Sequence, residues 1–382
     1  MLASCRGASP LFGPSSGVAL DSQTRLAQSA SGPDVVSEFA YVANYDDNNV
    51  SAYKIDATSG ALTAVKGSPF GSGSGPYTVT VDPAGKFAYV VNLGSGDIFA
   101  YTIDATSGAL TVVAGSPFFA GEFPEGLAVD PTGKFAYVPN LGSGNVSGFA
   151  IDAASGALTP LTGSPFGAGS EPIGVVVDPT GKFAYVTNLA SDNVSAYKID
   201  ATSGALAPVK GSPFAAGTEP NSVAVAPNGK FAYVPNIDTA NVSAYAINAT
   251  SGALTPVKGS PFAAGSYPCC VAVAPNGKFV YVSNDESNSV SAYRIDATSG
   301  ALTPVAGSPF KAGTAPYFVA VDPTGKLAYV ANDSSNNVSA YKINATSGAL
   351  KPVAGSPFKA GSFPYGVATC RRVGSTCKPP PL

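Results

Sequence analysis

Residues 124–169 read PEGLAVDPTGKFAYVPNLGSGNVSGFAIDAASGALTPLTGSPFGAG, and close copies of this stretch recur along the chain. The Asn that follows the FAYV-like segment returns every 48 residues, at positions 44, 92, 140, 188, 236, 284 and 332. The Phe of the Ser-Pro-Phe element returns with the same spacing, at positions 70, 118, 166, 214, 262, 310 and 358. Seven equal units without insertions are typical of a repeat architecture, in which each unit packs on its neighbours.

Each unit reads as four short antiparallel strands. In the quoted copy, the predicted strands are Gly126–Asp130, Phe135–Asn140, Val146–Ile151 and Ala157–Leu161. The segment Asp130–Lys134 has Pro second and Gly fourth, which favours a tight hairpin turn. Strands of about five residues separated by turn signals indicate an all-β chain. Because the FAYV strand is almost wholly apolar, we expect both of its faces to be covered, as in the blades of a β-propeller.

The ends of the repeat region predict how the ring closes. The strand Val367–Thr369 matches the first strand of a repeat, but the turn that should follow has become Cys370–Val373. The strand that should come next begins at the other end of the chain, at Phe39. We therefore predict a seven-bladed β-propeller at residues 36–373, closed by its C-terminal strand, with each Phe of Ser-Pro-Phe packed between blades. A flexible leader at 1–35 and a tail at 374–382 would flank it.

The composition excludes several classes of function. The 382 residues include no His and no Trp, and they carry a net charge of −3 with only 12% charged residues. The absence of His removes the commonest general base and metal ligand, so we expect no metal ion and no other cofactor. The adjacent Cys269 and Cys270 lack further ligands for zinc and are expected to be small apolar side chains. No basic run favours nucleic acid, and no apolar stretch is long enough for a transmembrane segment.

The N-terminus and the remaining cysteines bear on the compartment. Residues 2–5 read LASC, which resembles the end of a bacterial lipoprotein signal, although the basic and apolar regions that should precede it are missing. A lipid anchor at Cys5 and an accidental match are both open. Cys370 and Cys377 either pair in an oxidising compartment or stay as free thiols. We expect an extracytoplasmic protein, with a cytoplasmic location as the alternative.

Comparison of the seven copies with one another locates a candidate site. Variation concentrates in the loop after the second strand and around the Pro before the first strand, which we expect to lie together at the channel mouth. Three consecutive copies would make one side of the mouth acidic, and the opposite side would be aromatic, with Tyr77 and Phe363 among its rings. The predicted ligand-binding residues are Glu122, Glu125, Glu171, Glu219, Asn221, Tyr267, Tyr317 and Tyr365.

Aromatic rings beside carboxylates suit a carbohydrate, a cationic ligand or a peptide. The alternative is that these positions are tolerated surface substitutions. A carboxylate pair could do acid–base work on a glycosidic bond, but we predict no catalytic residue. The loop acids Asp46, Asp47, Asp285 and Glu286 match no calcium-binding loop.

Three segments of the fourth copy carry a family resemblance, namely Asp178–Lys182 (DPTGK), Tyr185–Asn188 (YVTN) and Ser203–Leu206 (SGAL). They resemble the Tyr-Val-Thr-Asn propeller repeats and, more closely, the seven-bladed lactonase propellers, which include 6-phosphogluconolactonase and muconate-lactonising enzymes. The resemblance covers residues 36–373. It implies a bacterial or archaeal protein and a hydrolase of a sugar lactone, with a site around the central channel that relies on His with Arg and Glu.

The sequence departs from that implied site. It has no His to carry over, and its five arginines lie outside the repeated channel-entry loops. Lys311 and Lys359 are the nearest candidates to hold the phosphate of a phosphorylated sugar. We therefore expect a non-catalytic cell-envelope propeller that binds a carbohydrate, a small molecule or a protein at the channel mouth. The alternatives are a lactone hydrolase and a surface scaffold without a small-molecule ligand.

Overall fold

The computed structural model describes residues 38–373 and 376–378, with side chains as far as residue 371. The leader at 1–35, with Cys5, and the side chain of Cys377 lie outside the described residues. Every described strand belongs to one of seven antiparallel sheets, and this part of the chain contains no helix. None of it therefore offers a helix long and apolar enough to cross a membrane. The predicted seven-bladed β-propeller is confirmed.

Each blade has an inner strand beside the channel, then a second strand, a third strand and an outer strand in two short pieces. In blade order, the inner strands are Pro364–Val373, Pro76–Val81, Ala128–Val129, Pro172–Val177, Ala224–Val225, Pro268–Val273 and Pro316–Val321. The second strands are Glu38–Asn44, Phe87–Asn92, Phe135–Asn140, Phe183–Asn188, Phe231–Asn236, Phe279–Asn284 and Leu327–Asn332. The third strands are Asn49–Ile55, Asp97–Ile103, Asn145–Ile151, Asn193–Ile199, Asn241–Ile247, Ser289–Ile295 and Asn337–Ile343.

The outer strand of every blade is interrupted, which the sequence pattern did not predict. Its first pieces are Leu62–Ala64, Leu110–Val112, Leu158–Pro160, Leu206–Pro208, Leu254–Pro256, Leu302–Pro304 and Leu350–Pro352. Its second pieces are Phe70–Gly71, Phe118–Phe119, Phe166–Gly167, Phe214–Ala215, Phe262–Ala263, Phe310–Lys311 and Phe358–Lys359. The Ser of Ser-Pro-Phe lies in the gap and accepts a third-strand N–H, as Ser68 does from Ala52 at 2.8 Å. A side chain thus replaces the missing backbone acceptor.

The hydrophobic core lies between the blades rather than within one of them. Seven buried clusters each combine residues of two neighbouring blades; one of them joins Tyr41 of blade 1 to Val79 and Tyr101 of blade 2. Each cluster also contacts one Phe of the Ser-Pro-Phe elements, as predicted. The second-strand Tyr adds a hydrogen bond to the next blade, where Tyr41 donates to the Gly108 carbonyl at 3.0 Å.

The C-terminal strand closes the ring beside the strand at Phe39, as predicted. Phe39 pairs with Cys370 and Tyr41 pairs with Ala368 across the antiparallel ladder. The inner strands then contact one another in an unbroken cycle around the channel. A further short strand, Thr376–Lys378, pairs with the end of Pro364–Val373 and lies in the segment that we expected to be a tail.

Two inner strands are much shorter than the other five, and proline explains why. Pro139 and Pro235 occupy second-strand positions that face the inner strand, and proline has no N–H to donate to it. The inner strands of blades 3 and 5 consequently begin later, at Ala128 and Ala224. Glu125 lies just before one of these shortened strands, at the mouth of the channel.

Candidate functional site

The candidate site is the end of the channel where the inner strands begin. In each blade, the loop after the second strand pairs with the residue that precedes the repeated Pro; the Asp285 N–H donates to the Tyr267 carbonyl at 2.9 Å, for example. Both variable regions of the repeat therefore lie on the same face of the propeller. The residue after the Pro lies at the channel end of each inner strand or, in blades 3 and 5, shortly before it, and these residues are Tyr77, Glu125, Ile173, Asn221, Cys269, Tyr317 and Tyr365.

Four aromatic side chains, which we call the tyrosine cluster, meet at this end of the channel: Tyr45, Tyr77, Tyr317 and Tyr365. The rings of Tyr77 and Tyr365 stack with their centroids 4.9 Å apart. Tyr317 meets Tyr365 edge-on at 4.8 Å, and Tyr45 meets it edge-on at 5.4 Å. The hydroxyls of Tyr77 and Tyr317 are hydrogen-bonded to each other. Contacts of this kind hold aromatic rings in a fixed arrangement.

Glu125 lies beside the tyrosine cluster with 7% of its surface exposed. Its Oε2 has no hydrogen-bond partner among the described residues. Burial raises the pKa of Glu125 to about 7; the nearby Tyr77 hydroxyl opposes this rise, and the charge of Glu171 adds to it. A carboxyl group with this pKa is present in both its protonated and its ionised form near neutral pH.

A cavity of about 120 Å³ lies at the wall formed by Glu125. Its other lining residues include Tyr77, Asn221, Tyr317 and Phe318. For comparison, a cavity of roughly 150 Å³ accommodates benzene, so this one has room for a group of about five heavy atoms. Gly174 also lines the cavity, where a Cβ would lie 2.7 Å from the Asn221 carbonyl oxygen. The inner strands are therefore too close together at this point for any larger residue.

Carboxylates surround the channel mouth, and we call six of them the acidic rim: Glu171, Asp192, Glu219, Asp238, Asp285 and Asp333. Burial raises the pKa of Glu219, and the charges of Asp238, Asp192 and Glu171 raise it further. Burial likewise raises the pKa of Asp285 to about 6, together with the charges of Asp333 and Glu286. Each of these neighbouring charges is negative, so the rim attracts cations and repels anions.

Three rim residues, Glu171, Asp192 and Glu219, adopt a backbone conformation that L-residues usually avoid. Glu171 has φ = 53° and Glu219 has φ = 56°, in the left-handed region. The equivalent position in blade 2 is Gly75, which tolerates this conformation without strain. A non-Gly residue there costs the fold about 1 kcal/mol, and the remaining four blades bear the same cost with Phe123, Tyr267, Ala315 and Phe363.

The structure brings most of the predicted site residues together. Glu125, Asn221 and Tyr317 line the cavity, Tyr365 belongs to the tyrosine cluster, and Glu171 and Glu219 stand on the acidic rim. Tyr267 lies at the rim as well, where Glu219 and Asp285 help to raise its pKa.

Glu122 does not join this group. It is exposed and lines a separate surface hollow with Phe119 and Phe149. The expectation of acidic and aromatic residues on opposite sides needs correction, because Glu125 lies among the tyrosines. Burial raises the pKa of Tyr77 and of Tyr317, and the charge of Glu125 adds to both shifts. Acidic and aromatic groups are mixed at the centre of the mouth.

Other sequence-based expectations are also corrected by the side-chain positions. Lys311 and Lys359 lie in the second pieces of outer strands, so they are at the perimeter rather than near the channel. Asp285 and Asp333 belong to the mouth, although no calcium loop is formed. In the described part of the chain, no group of three or more acidic or Cys side chains is arranged to hold a metal ion.

Two buried hydroxyls that position site residues were missed. Thr187 donates to the Asn221 carbonyl at 2.8 Å, and Ser283 donates to the Tyr317 carbonyl at 2.6 Å. Both come from second strands of the preceding blades, where other copies carry Ala, Val or Pro. The sequence contained an indication of these roles, because this position varies within a second strand that is otherwise nearly constant among the copies.

Comparison with solved structures finds the same architecture. A 6-phosphogluconolactonase candidate from Bacteroides uniformis superposes with a TM-score of 0.77 at 19% identity, over 87% of this chain and 99% of that one. The periplasmic gluconolactonase of Pseudomonas aeruginosa gives 0.74 at 20% identity, again over 87% and 99%. A protein from Lactobacillus plantarum gives 0.72 at 21% identity, over 87% and 99%. At these identities the likeness establishes the fold.

Sequence comparison assigns the family. No curated protein matches the chain in sequence. The family pattern described as "Lactonase, 7-bladed beta-propeller" matches residues 36–175 and 168–363, which together span most of the chain. The chain thus belongs to the seven-bladed β-propeller lactonase family.

Proposed function

We propose that this lactonase-family propeller binds a small molecule at the channel mouth without transforming it, and that it works in the cell envelope. The proposal depends on the buried Glu125 Oε2, which makes no hydrogen bond to any residue that the structure describes and lies at the wall of a cavity. Burying a polar oxygen without a hydrogen bond is unfavourable. A ligand that donates a hydrogen bond or brings a positive charge to this oxygen would offset that cost, which explains why a glutamate occupies the position.

The side chains at the channel end support binding more than catalysis. The family resemblance implies a site that uses His with Arg and Glu, and this sequence contains no His. The residues that follow the repeated Pro at this end are instead tyrosines, Glu125, Asn221, Ile173 and Cys269. The acidic rim also opposes a phosphorylated sugar, because phosphate binding requires cationic donors.

Three observations support the cell envelope. Cys370 is disulfide-bonded, and disulfides persist in oxidising compartments outside the cytoplasm. The LASC sequence at residues 2–5 would fit the same location if it is the end of a lipoprotein signal. The similar Pseudomonas aeruginosa protein is itself described as periplasmic.

A ligand screen by thermal denaturation tests the binding proposal. Sugars, sugar lactones and organic ammonium compounds are added separately at saturating concentration, and the Tm of the wild-type protein is measured. A specific ligand present at about 100 times its Kd adds about 2.7 kcal/mol of stability, so at least one class should raise Tm by a few degrees. This rise should vanish in Glu125→Gln and persist in Glu122→Gln. No rise with any class would contradict the proposal.

A lactone hydrolase is the second candidate, and the pKa of Glu125 is the observation that favours it. A carboxyl group that titrates near 7 suits general-base activation of water at neutral pH. Hydrolysis of D-glucono-δ-lactone, followed in a pH-stat, distinguishes the two candidates. Turnover that is lost in Glu125→Gln and retained in Glu122→Gln would replace the binding proposal with this one.

A further inference from the structure

The cavity beside Glu125 has features that restrict the chemistry of its ligand, and the inference drawn from them rests on the proposed binding function. We propose that the ligand carries a small organic ammonium group, for which Glu125 is the counter-ion and the cavity tyrosines are the aromatic wall. Tyr77 and Tyr317 both line the cavity with Glu125, and Phe318 adds a third ring.

The unpaired oxygen requires either a proton donor or a cation. Glu125 Oε2 is buried and makes no hydrogen bond within the described part of the chain. The bond between the Tyr77 and Tyr317 hydroxyls uses one of their two protons, so at most one neutral O–H, that of the nearby Tyr77, is left for the carboxylate. An ammonium group supplies positive charge directly to a carboxylate, and such charge-assisted contacts are stronger than those between neutral groups. A neutral polyol would supply a weaker hydrogen bond to the same oxygen.

The aromatic wall suits the alkyl groups of such a cation. A cation within about 6 Å of an aromatic ring is attracted to the π-electrons of its face, and this attraction is stronger where the cation is shielded from water. The cavity of about 120 Å³ is of the size of a methylated ammonium head group rather than of a whole hexose. A larger ligand would place only its ammonium end beside Glu125.

The charge of the mouth selects for the same chemistry. A cation that approaches the cavity passes the acidic rim, where burial and then the charges of neighbouring carboxylates raise the pKa of Glu219 and of Asp285. A cation relieves this repulsion, whereas an anion increases it. The rim therefore concentrates cationic ligands at the cavity entrance and disfavours phosphate esters.

The ionisation of Glu125 makes binding depend on pH. The titratable groups facing it are Tyr77, Tyr317 and Glu171, and both tyrosines have pKa values raised well above their usual range, so they stay neutral. A permanently charged ammonium binds the ionised form of Glu125. Because that pKa is about 7, affinity should rise roughly tenfold from pH 6 to pH 8.

Calorimetric titration with choline and with 3,3-dimethylbutan-1-ol, its neutral isostere, tests the inference. We expect choline to bind the full chain at least about tenfold more tightly than the isostere, with the stated pH dependence. Glu125→Gln should abolish this preference, and Tyr317→Leu should weaken choline binding. Glu122→Gln is the matched control and should bind as wild type does. Melting curves establish that each variant is folded.

The outcomes separate the two proposals. Equal affinity for choline and the isostere, or tighter binding of neutral sugars and lactones, would overturn the ammonium inference and leave the binding function intact. Binding of choline that is unchanged in Glu125→Gln would also overturn the inference. If no sugar, lactone or ammonium compound binds, the proposed function and the inference fail together.

Discussion

Replacing Glu125 with Gln should change how the stability of the protein depends on pH. Burial raises the pKa of this carboxyl from 4.5 to about 7. Between these two values, the folded protein holds a proton that the unfolded chain has released, so stability falls as pH rises through the window. At about 1.4 kcal/mol for each pH unit of difference, the ionised carboxylate should cost the folded state about 3 kcal/mol by pH 8.

The variant keeps the shape of the side chain and removes this cost. Glu125→Gln should be about 3 kcal/mol more stable than wild type at pH 8, and the difference should shrink to well under 1 kcal/mol at pH 4.5. Asp285 and Glu219 also have raised pKa values, but both residues are present in the two proteins, so their contributions cancel. Urea unfolding followed by tyrosine fluorescence at the two pH values measures the difference.

Glu122→Gln is the control for this comparison. Glu122 is exposed and lies outside the cavity, so its variant should follow the wild-type pH dependence. If Glu125→Gln and wild type lose the same free energy of unfolding between pH 4.5 and 8, Glu125 does not have a strongly raised pKa. In that case burial does not destabilise the ionised Glu125 carboxylate, and the side chain has a partner in the folded protein.

Three further changes test the fold and the rim. Deletion of residues 364–382 removes the strand that completes blade 1, so we expect the truncated protein to lose its cooperative melting transition by circular dichroism. Deletion of residues 374–382 should keep that transition. Equal melting of the two truncated proteins would contradict ring closure. Gly108→Ala should lower the free energy of unfolding in urea by at least about 2 kcal/mol, because φ is +76° and the new Cβ would lie 2.3 Å from a ring carbon of Phe39. Gly71→Ala is the control: its Cβ would have no atom within 4 Å, so the free energy of unfolding should change little. Glu171→Gly should stabilise the protein by about 1 kcal/mol, since it relieves a φ of 53°, and a destabilised variant would show that the glutamate serves packing.

The repeat made the fold predictable from the sequence. Seven copies at one spacing fix the number of blades, and the missing turn after Thr369 reveals that the strand at Phe39 needs a partner from the C-terminus. The break in each outer strand was less visible. It depends on a serine hydroxyl that replaces a backbone acceptor, as Ser68 does for Ala52, and strand propensities do not contain that information.

The site was predictable in position but not in arrangement. Variation among the copies identified the channel mouth and most of its residues. It could not separate Glu122 from Glu125, which are three positions apart: Glu122 lies before the Pro on the exposed surface, and Glu125 follows the Pro and is buried at the channel mouth. The supporting roles of Thr187 and Ser283 depend on contacts between blades, which a comparison of single repeats does not show.

The most direct test of the account is the titration of Glu125 itself. Carbon-13 NMR of glutamate side-chain carboxyls, with Glu125→Gln to assign the signal, should show a group that titrates near pH 7 in the free protein. Saturation with tetramethylammonium should move that midpoint downward, because the cation favours the ionised carboxylate. A midpoint close to 4.5, or one that the cation leaves unchanged, would contradict the claim that Glu125 is a buried carboxylate that binds a positively charged ligand.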